Sequence, residues 1–117
     1  MDKADEARRM LRQGKNRMRA IARGGHPESL LCPVKECYVT GSRIDLHKHH
    51  VYAGPLRQKS EAWGCWVWLR ADYHNMSSHG VHFDRELDLR IKRDCQEAFE
   101  ARFGHEKFME IFGKNYL

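Results

Sequence analysis

The chain has 117 residues, a formal net charge of +5 and an isoelectric point of about 9.2, and this length corresponds to one compact domain. No apolar run reaches the roughly 18 residues of a membrane-spanning helix and no signal-peptide pattern is present, so we expect a soluble, cytoplasmic protein. The cysteines are irregularly spaced, which argues against a disulfide framework; they are Cys32, Cys37, Cys65 and Cys95.

The amino-terminal 25 residues carry the charge imbalance. They contain eight Lys or Arg against three acidic residues, a surplus that equals the whole formal net charge of +5. Asp2 as a cap and the Gly24-Gly25 stop predict a helix over residues 2–23. Its cations suit a polyanion such as DNA, although a solvated helix that only aids solubility has the same composition. The candidate DNA contacts of this arm are Arg8, Arg9, Arg12, Lys15, Arg17 and Arg19.

The middle of the chain is predicted to consist of short elements. Residues 24–34 are rich in Gly and Pro and predict a linker. Residues 35–52 predict a hairpin, in which β-prone Tyr38-Val39-Thr40 forms the first strand and Ile44 to Tyr52 the second. Residues 53–64 predict a long irregular loop. Residues 65–69, CWVWL, are the strongest strand candidate, and a helix is expected to begin between Asp72 and Asn75.

Two helices are predicted at the carboxyl-terminal end. Apolar side chains recur every three or four residues over 84–103, which is typical of an amphipathic helix. Asp84 is a suitable N-cap and Gly104 a suitable end. A short second helix is predicted over residues 106–112, where Gly113 stops it.

The histidines are the most informative feature of the chain. Six of the eight lie in the segment 46–84, LHKHHVYAGPLRQKSEAWGCWVWLRADYHNMSSHGVHFD, where carboxylates are few. Imidazole is both the commonest side-chain ligand for zinc-like ions and the usual proton acceptor near neutral pH. If the strand that carries His49 and His50 pairs with the CWVWL strand, these two histidines come close to His74, and His82 lies one loop beyond it. Three imidazoles around an ion with an open fourth position suit a catalytic rather than a structural metal site. A further histidine next to that site would act as a base on water, a combination suited to attack on a phosphodiester.

The pieces LHKHHVYAG, WVWLRADYHN, GVHF and FGKNYL resemble the HNH family of His-Me finger (ββα-metal) endonucleases, in particular small HNH-like proteins of bacteriophages and prophages. The HNH-like part covers roughly residues 30–90. The resemblance implies an α+β fold, in which a basic helix or arm (1–25) precedes a ββα-metal domain with carboxyl-terminal helices (26–117). It also implies metal-dependent hydrolysis of DNA in phage recombination, replication or packaging, within the host cytoplasm.

Carried over to this sequence, the resemblance implies that His49 binds one divalent ion and that His50 is the general base. His74 matches the family's helix-start histidine. His82 is the preferred last ligand, because Gly80 lets the chain turn back, and His79 is the alternative. The ion would be Zn, Mg, Mn or Ni, and its identity stays open.

The sequence departs from the family pattern at two points. No Asn lies between His50 and His74 to orient the base, so Gln58, Ser60 or a backbone carbonyl would have to do so. Many family members hold a structural zinc with two CxxC pairs, but here a single pair, Cys32 and Cys37, corresponds to them, and four residues separate its two cysteines.

Other interpretations of the same residues stay open. His47 alternates with His49 on a regular strand, so we expect it at the surface, and His50 then points to the opposite face. Arg57 and Lys59 are candidate phosphate contacts or solvated loop charges. Trp63, Trp66 and Trp68 could stack on bases, but core positions are expected. The alternative functions are a non-enzymatic, metal-stabilised DNA-binding module, or an interaction protein whose helices form a homodimer surface.

Overall fold

The computed structural model describes residues 27–76, 80–81 and 84–117, without the side chains of Asn75 and Met76. The predicted amino-terminal helix, with the arm over residues 1–25, lies outside the described residues. Residues 27–34 have no regular secondary structure, as predicted for a linker. Across the described ranges, no helix combines the length and the apolar character needed to cross a membrane.

A two-stranded antiparallel sheet holds most of the described histidines. Strand β1 spans Leu46–His50 and pairs with β2, Trp66–Arg70, in a register that places His47 opposite Leu69 and His49 opposite Val67. Val67 and Leu69 are fully buried, and directly opposite residues of a pair share a face of the sheet. His47 and His49 therefore lie on the core-facing side of β1, and His50 lies on the other side.

The hairpin differs from the predicted one. Tyr38-Val39-Thr40 form a turn, closed by a hydrogen bond from Gly41 N to Cys37 O of 2.8 Å. The strand that pairs with β1 is β2, far along the chain. The β-prone triplet is held beside the sheet by a backbone hydrogen bond from Tyr38 N to Trp68 O of 2.8 Å. The Tyr38 hydroxyl also donates to Asp94 Oδ2, on the long carboxyl-terminal helix, at 2.7 Å. Local propensity was therefore overridden by tertiary packing.

The connection between the strands is more ordered than predicted. A 3₁₀ turn, Gly54–Leu56, leads into helix α1, Arg57–Ala62. Ser60, the buried residue of α1, donates from its hydroxyl to Tyr52 O at 2.7 Å and accepts from Tyr52 N at 3.1 Å. These two bonds tie α1 to the end of β1, which explains why the predicted irregular loop is a helix here.

The carboxyl-terminal helices confirm the predictions closely. A single π-helical turn, Asp72–Met76, follows β2. Helix α2 spans Arg85–Phe103, and its N-cap Asp84 accepts from Leu87 N at 3.1 Å. Helix α3 spans His105–Phe112 and ends at Gly113, whose φ of 72° favours glycine.

The core lies between the sheet and helices α2 and α3, and it combines aromatic rings with aliphatic side chains and cysteines. Its fully buried aromatic rings are Tyr52, Phe99 and Phe108, with Phe112 and Trp63 nearly buried. The ring of Tyr52 packs on Phe108, Phe112 and Tyr116 at centroid distances of 5.5, 4.6 and 5.3 Å. Since Tyr52 follows His50 by two residues, the core fixes the carboxyl end of β1. The fold is a small mixed α/β unit, which confirms the α+β class.

Candidate functional site

Three imidazoles meet on the core-facing side of the sheet. His74, on the π-helical turn, has ring centroids 5.3 Å from His49 and 5.4 Å from His47. Its Nδ1 atom lies 3.2 Å from Nδ1 of His47. His49 is 5% exposed, whereas His47 is exposed to solvent. The predicted pair of His49 and His74 is thus brought together, and His47 joins it.

His50 lies on the opposite face of β1 and contacts a carboxylate. Its Nε2 atom is 2.6 Å from Oε2 of Glu61, whose other oxygen accepts from Lys48 Nζ at 3.0 Å. Burial raises the pKa of the Glu61 carboxyl, but the hydrogen bonds from Lys48 and His50 outweigh it, so that this pKa is lowered overall. Glu61 is therefore favoured in its carboxylate form, which accepts a hydrogen bond from a protonated imidazole nitrogen.

Glu61 was not among the sequence candidates for orienting the base. Gln58 is exposed on α1, and the hydroxyl of Ser60 is engaged by the backbone of Tyr52. One signal could have indicated Glu61, since it is the only acidic residue between His50 and Asp72.

An open cleft of about 640 Å³ lies beside the histidines and is lined by Asp45, Leu46, His47, Arg70, Ala71 and Asp72. The guanidinium of Arg70 binds both oxygens of Asp72, with Nε to Oδ1 at 2.6 Å and Nη2 to Oδ2 at 2.8 Å. The hydrogen bond to Asp72 raises the pKa of Arg70. The cleft therefore presents a guanidinium paired with a carboxylate, a second carboxylate, Asp45, and the exposed imidazole of His47.

The other predicted site residues lie outside the described residues or on α1. His79 and His82 are outside the described residues, as are the arm cations Arg8 to Arg19. Arg57 and Lys59 are exposed on α1, and Lys59 Nζ donates to Ile111 O at 3.1 Å.

The aromatic and cysteine residues give a mixed outcome. Trp63 is a core residue, as expected, but Trp66 and Trp68 are half-buried on the outer face of β2. There the ammonium groups of Lys48 and Lys35 lie 4.1 and 4.6 Å from their respective ring centroids. The core prediction for these two tryptophans was therefore wrong.

Cys32 and Cys37 are free thiols at the edge of the sheet. Sγ of Cys37 accepts from Arg70 N at 3.2 Å and from Thr40 N at 3.5 Å. Burial raises the pKa of the Cys37 thiol, but these backbone and side-chain hydrogen bonds lower it by more.

Within the described part of the chain, no group of three or more His, Cys, Asp and Glu side chains is arranged to hold a metal ion. No family model, curated protein or solved structure matches this chain.

Proposed function

We propose that this protein is an HNH-type DNA endonuclease, which hydrolyses phosphodiester bonds with one divalent ion on a ββα-metal core. The observation that carries the proposal is the contact of His49 with His74. These two rings come from β1 and from the turn after β2, and their centroids are 5.3 Å apart. The strand–strand–helix path of the family requires such a contact.

The donor chemistry at this contact fits a borderline divalent ion. Imidazole nitrogen suits Zn and Ni well and is compatible with Mn, whereas Mg prefers oxygen. In the proposal His49 and His74 hold the ion together with His82, or with His79 as the alternative. When bound, the ion would stabilise the negative charge that develops on phosphate oxygens during hydrolysis.

His50 is the proposed general base, and its partner decides which nitrogen acts. The short contact of Nε2 with Glu61 assigns the ring proton to Nε2, where the carboxylate accepts it. Nδ1 of the neutral imidazole then carries the lone pair that takes a proton from water. Glu61 fills the role that the family gives to its middle Asn, so the missing Asn does not remove the orienting contact.

The remaining charges suit a DNA backbone. Arg70 lies in the cleft beside His47, with its guanidinium plane fixed by Asp72. Its Nε and Nη2 edge is occupied by Asp72, so the proposed phosphate contact is made by the remaining N–H groups of the guanidinium. The basic arm would add affinity that does not depend on DNA sequence. Phage recombination, replication or packaging is the proposed setting.

Nicking of supercoiled plasmid in the presence of Mg, Mn, Zn or Ni tests the proposal. Wild-type protein should nick, and His50→Ala should keep its metal but lose about 10²-fold or more in rate, the scale of a positioned base. His105→Ala is the matched control, because this histidine lies on α3 beside Glu100. Metal content should fall in His74→Ala and in His82→Ala. Full nicking by His50→Ala would exclude its role as the base.

One observation favours the alternative of a non-enzymatic, metal-stabilised DNA-binding module. The pairing of β1 with β2 is regular through His50, and Val51 N donates to Cys65 O at 2.9 Å beyond it. His49 and His50 therefore project from opposite faces, which separates the proposed ligand from the proposed base. Salt-dependent duplex binding with no nicking under any of the four metals would select this alternative.

A further inference from the structure

We propose that His47 is a ligand of the metal ion and that it binds through Nδ1, side by side with Nδ1 of His74. This inference rests on the metal site of the proposed function and extends its ligand set by a residue that the sequence pattern assigns to the surface. The observation that motivates it is the 3.2 Å separation of the two Nδ1 atoms.

That separation matches one edge of a coordination polyhedron. Zn–N bonds of roughly 2.0–2.1 Å place two nitrogens of a tetrahedral site about 3.3 Å apart, and an octahedral site places them about 3.0 Å apart. The observed 3.2 Å lies between these two values. The close approach of the two Nδ1 atoms brings together the ring edges on which the nitrogen lone pairs lie, and the rings stand nearly perpendicular, at 86°.

The alternation of β1 explains why His47 is the strand residue that can reach this position. His47 and His49 share the core-facing side, so both contact the ring of His74, whereas His50 is directed to Glu61. His49 is 5% exposed and lies on the inner side of His74. His47 is exposed and lines the cleft that contains Arg70. A metal bound at the His47–His74 edge would therefore be open to a phosphate from the cleft.

The competing explanation is a hydrogen bond between two neutral imidazoles. It requires a proton on one of the two Nδ1 atoms, while the other accepts it. A ligand role requires that neither Nδ1 carries a proton and that both rings are protonated at Nε2. The two explanations therefore differ in the bonding of a single atom, Nδ1 of His47, which spectroscopy can follow independently of activity.

The test uses full-length protein with ¹⁵N-labelled histidine, loaded with ¹¹³Cd²⁺ as the probe. We expect ¹¹³Cd coupling to split the Nδ1 resonances of both His47 and His74. We also expect His47→Ala to bind Cd²⁺ and Zn²⁺ at least tenfold more weakly in chelator competition, with His105→Ala unchanged.

The outcomes separate this inference from the proposed function. Splitting at His74 without splitting at His47 would overturn the ligand role of His47 and leave the metal site standing. A wild-type protein that takes up neither ion would overturn both. The cadmium spectrum is recorded on the unmodified protein, so the test does not depend on whether His47→Ala folds.

Discussion

The contact between Glu61 and His50 leads to the most specific prediction. Glu61→Gln keeps the size of the side chain but removes its charge, and it offers a donor amide as well as an acceptor oxygen. In the wild type the carboxylate can only accept, so it holds the ring proton of His50 on Nε2. Glutamine also allows the amide to donate to Nε2, which moves the ring proton to Nδ1. In that tautomer Nδ1 no longer accepts a proton from water.

The size of the effect follows from the kind of bond that is lost. A hydrogen bond to a charged group contributes about 1.5–3 kcal/mol and a neutral one about 0.5–1.5 kcal/mol. The difference, about 1–1.5 kcal/mol, corresponds to roughly tenfold in rate. Glu61 is 49% exposed, so water replaces part of the lost contact, while the tautomer change adds to the loss. We therefore expect kcat/KM for nicking to fall by about 10- to 100-fold, the range found for partners of site histidines.

The assay compares the initial rate of plasmid nicking at saturating metal for wild type, Glu61→Gln and Glu110→Gln. Glu110 is a matched control, because it forms an exposed ion pair with Lys107 on α3. Metal content should be the same in all three proteins, and the stability of Glu61→Gln should fall by no more than the roughly 1 kcal/mol that an exposed ion pair contributes. Nicking by Glu61→Gln at the wild-type rate, together with a His50→Ala protein that is inactive, would refute the proposed orientation of the base by Glu61.

Three further outcomes are expected. Replacement of three arm arginines, Arg8, Arg9 and Arg12, by Gln should weaken duplex binding. It should also reduce the slope of log binding constant against log salt concentration by up to about one per lost phosphate contact. An unchanged slope would show that the arm only aids solubility. Tyr52→Phe removes the 2.7 Å bond from the buried hydroxyl to Lys92 O and should cost about 0.5–1.5 kcal/mol in urea unfolding; a loss below the error of the measurement would contradict this. Burial raises the pKa of Glu61, but the hydrogen bonds from Lys48 and His50 lower it by a larger amount. The ion pair therefore stabilises the fold above the unfolded carboxyl pKa of about 4.3, and this stabilisation is lost as the pH falls through the lower pKa of the folded state. The stability difference between wild type and Glu61→Gln, at most about 1 kcal/mol for such an exposed pair, should therefore be present at pH 6 and absent near pH 2.

The helices could be predicted from the sequence because their signals are local. The apolar spacing of α2, the cap at Asp84 and the stops at Gly104 and Gly113 all act within a few residues of one another. Strand β2 was also predictable, because CWVWL is a short β-prone run with fully buried Val67 and Leu69 at alternate positions.

The partner of β1 could not be predicted in the same way. The turn at Tyr38–Thr40 and helix α1 depend on contacts that are distant in the sequence, among them the Tyr38–Asp94 hydrogen bond. The contact between Glu61 and His50 has the same origin, since α1 brings the carboxylate back across eleven residues to the outer face of β1. Residue type and local spacing do not contain such information.

The alternation of β1 is the structural fact on which the proposed function depends. It gives one strand two chemical faces, with His47 and His49 turned to His74 and with Lys48 and His50 turned to Glu61. A hydrolytic site needs the metal ligands of one face and the base of the other face to act on the same phosphate. The substrate would therefore have to contact both faces at the end of the strand. A binding module needs only the first face, and its second face would then be an ordinary surface ion pair. An enzyme should therefore show metal affinity that depends on His74 but not on Glu61, together with hydrolysis that depends on both residues.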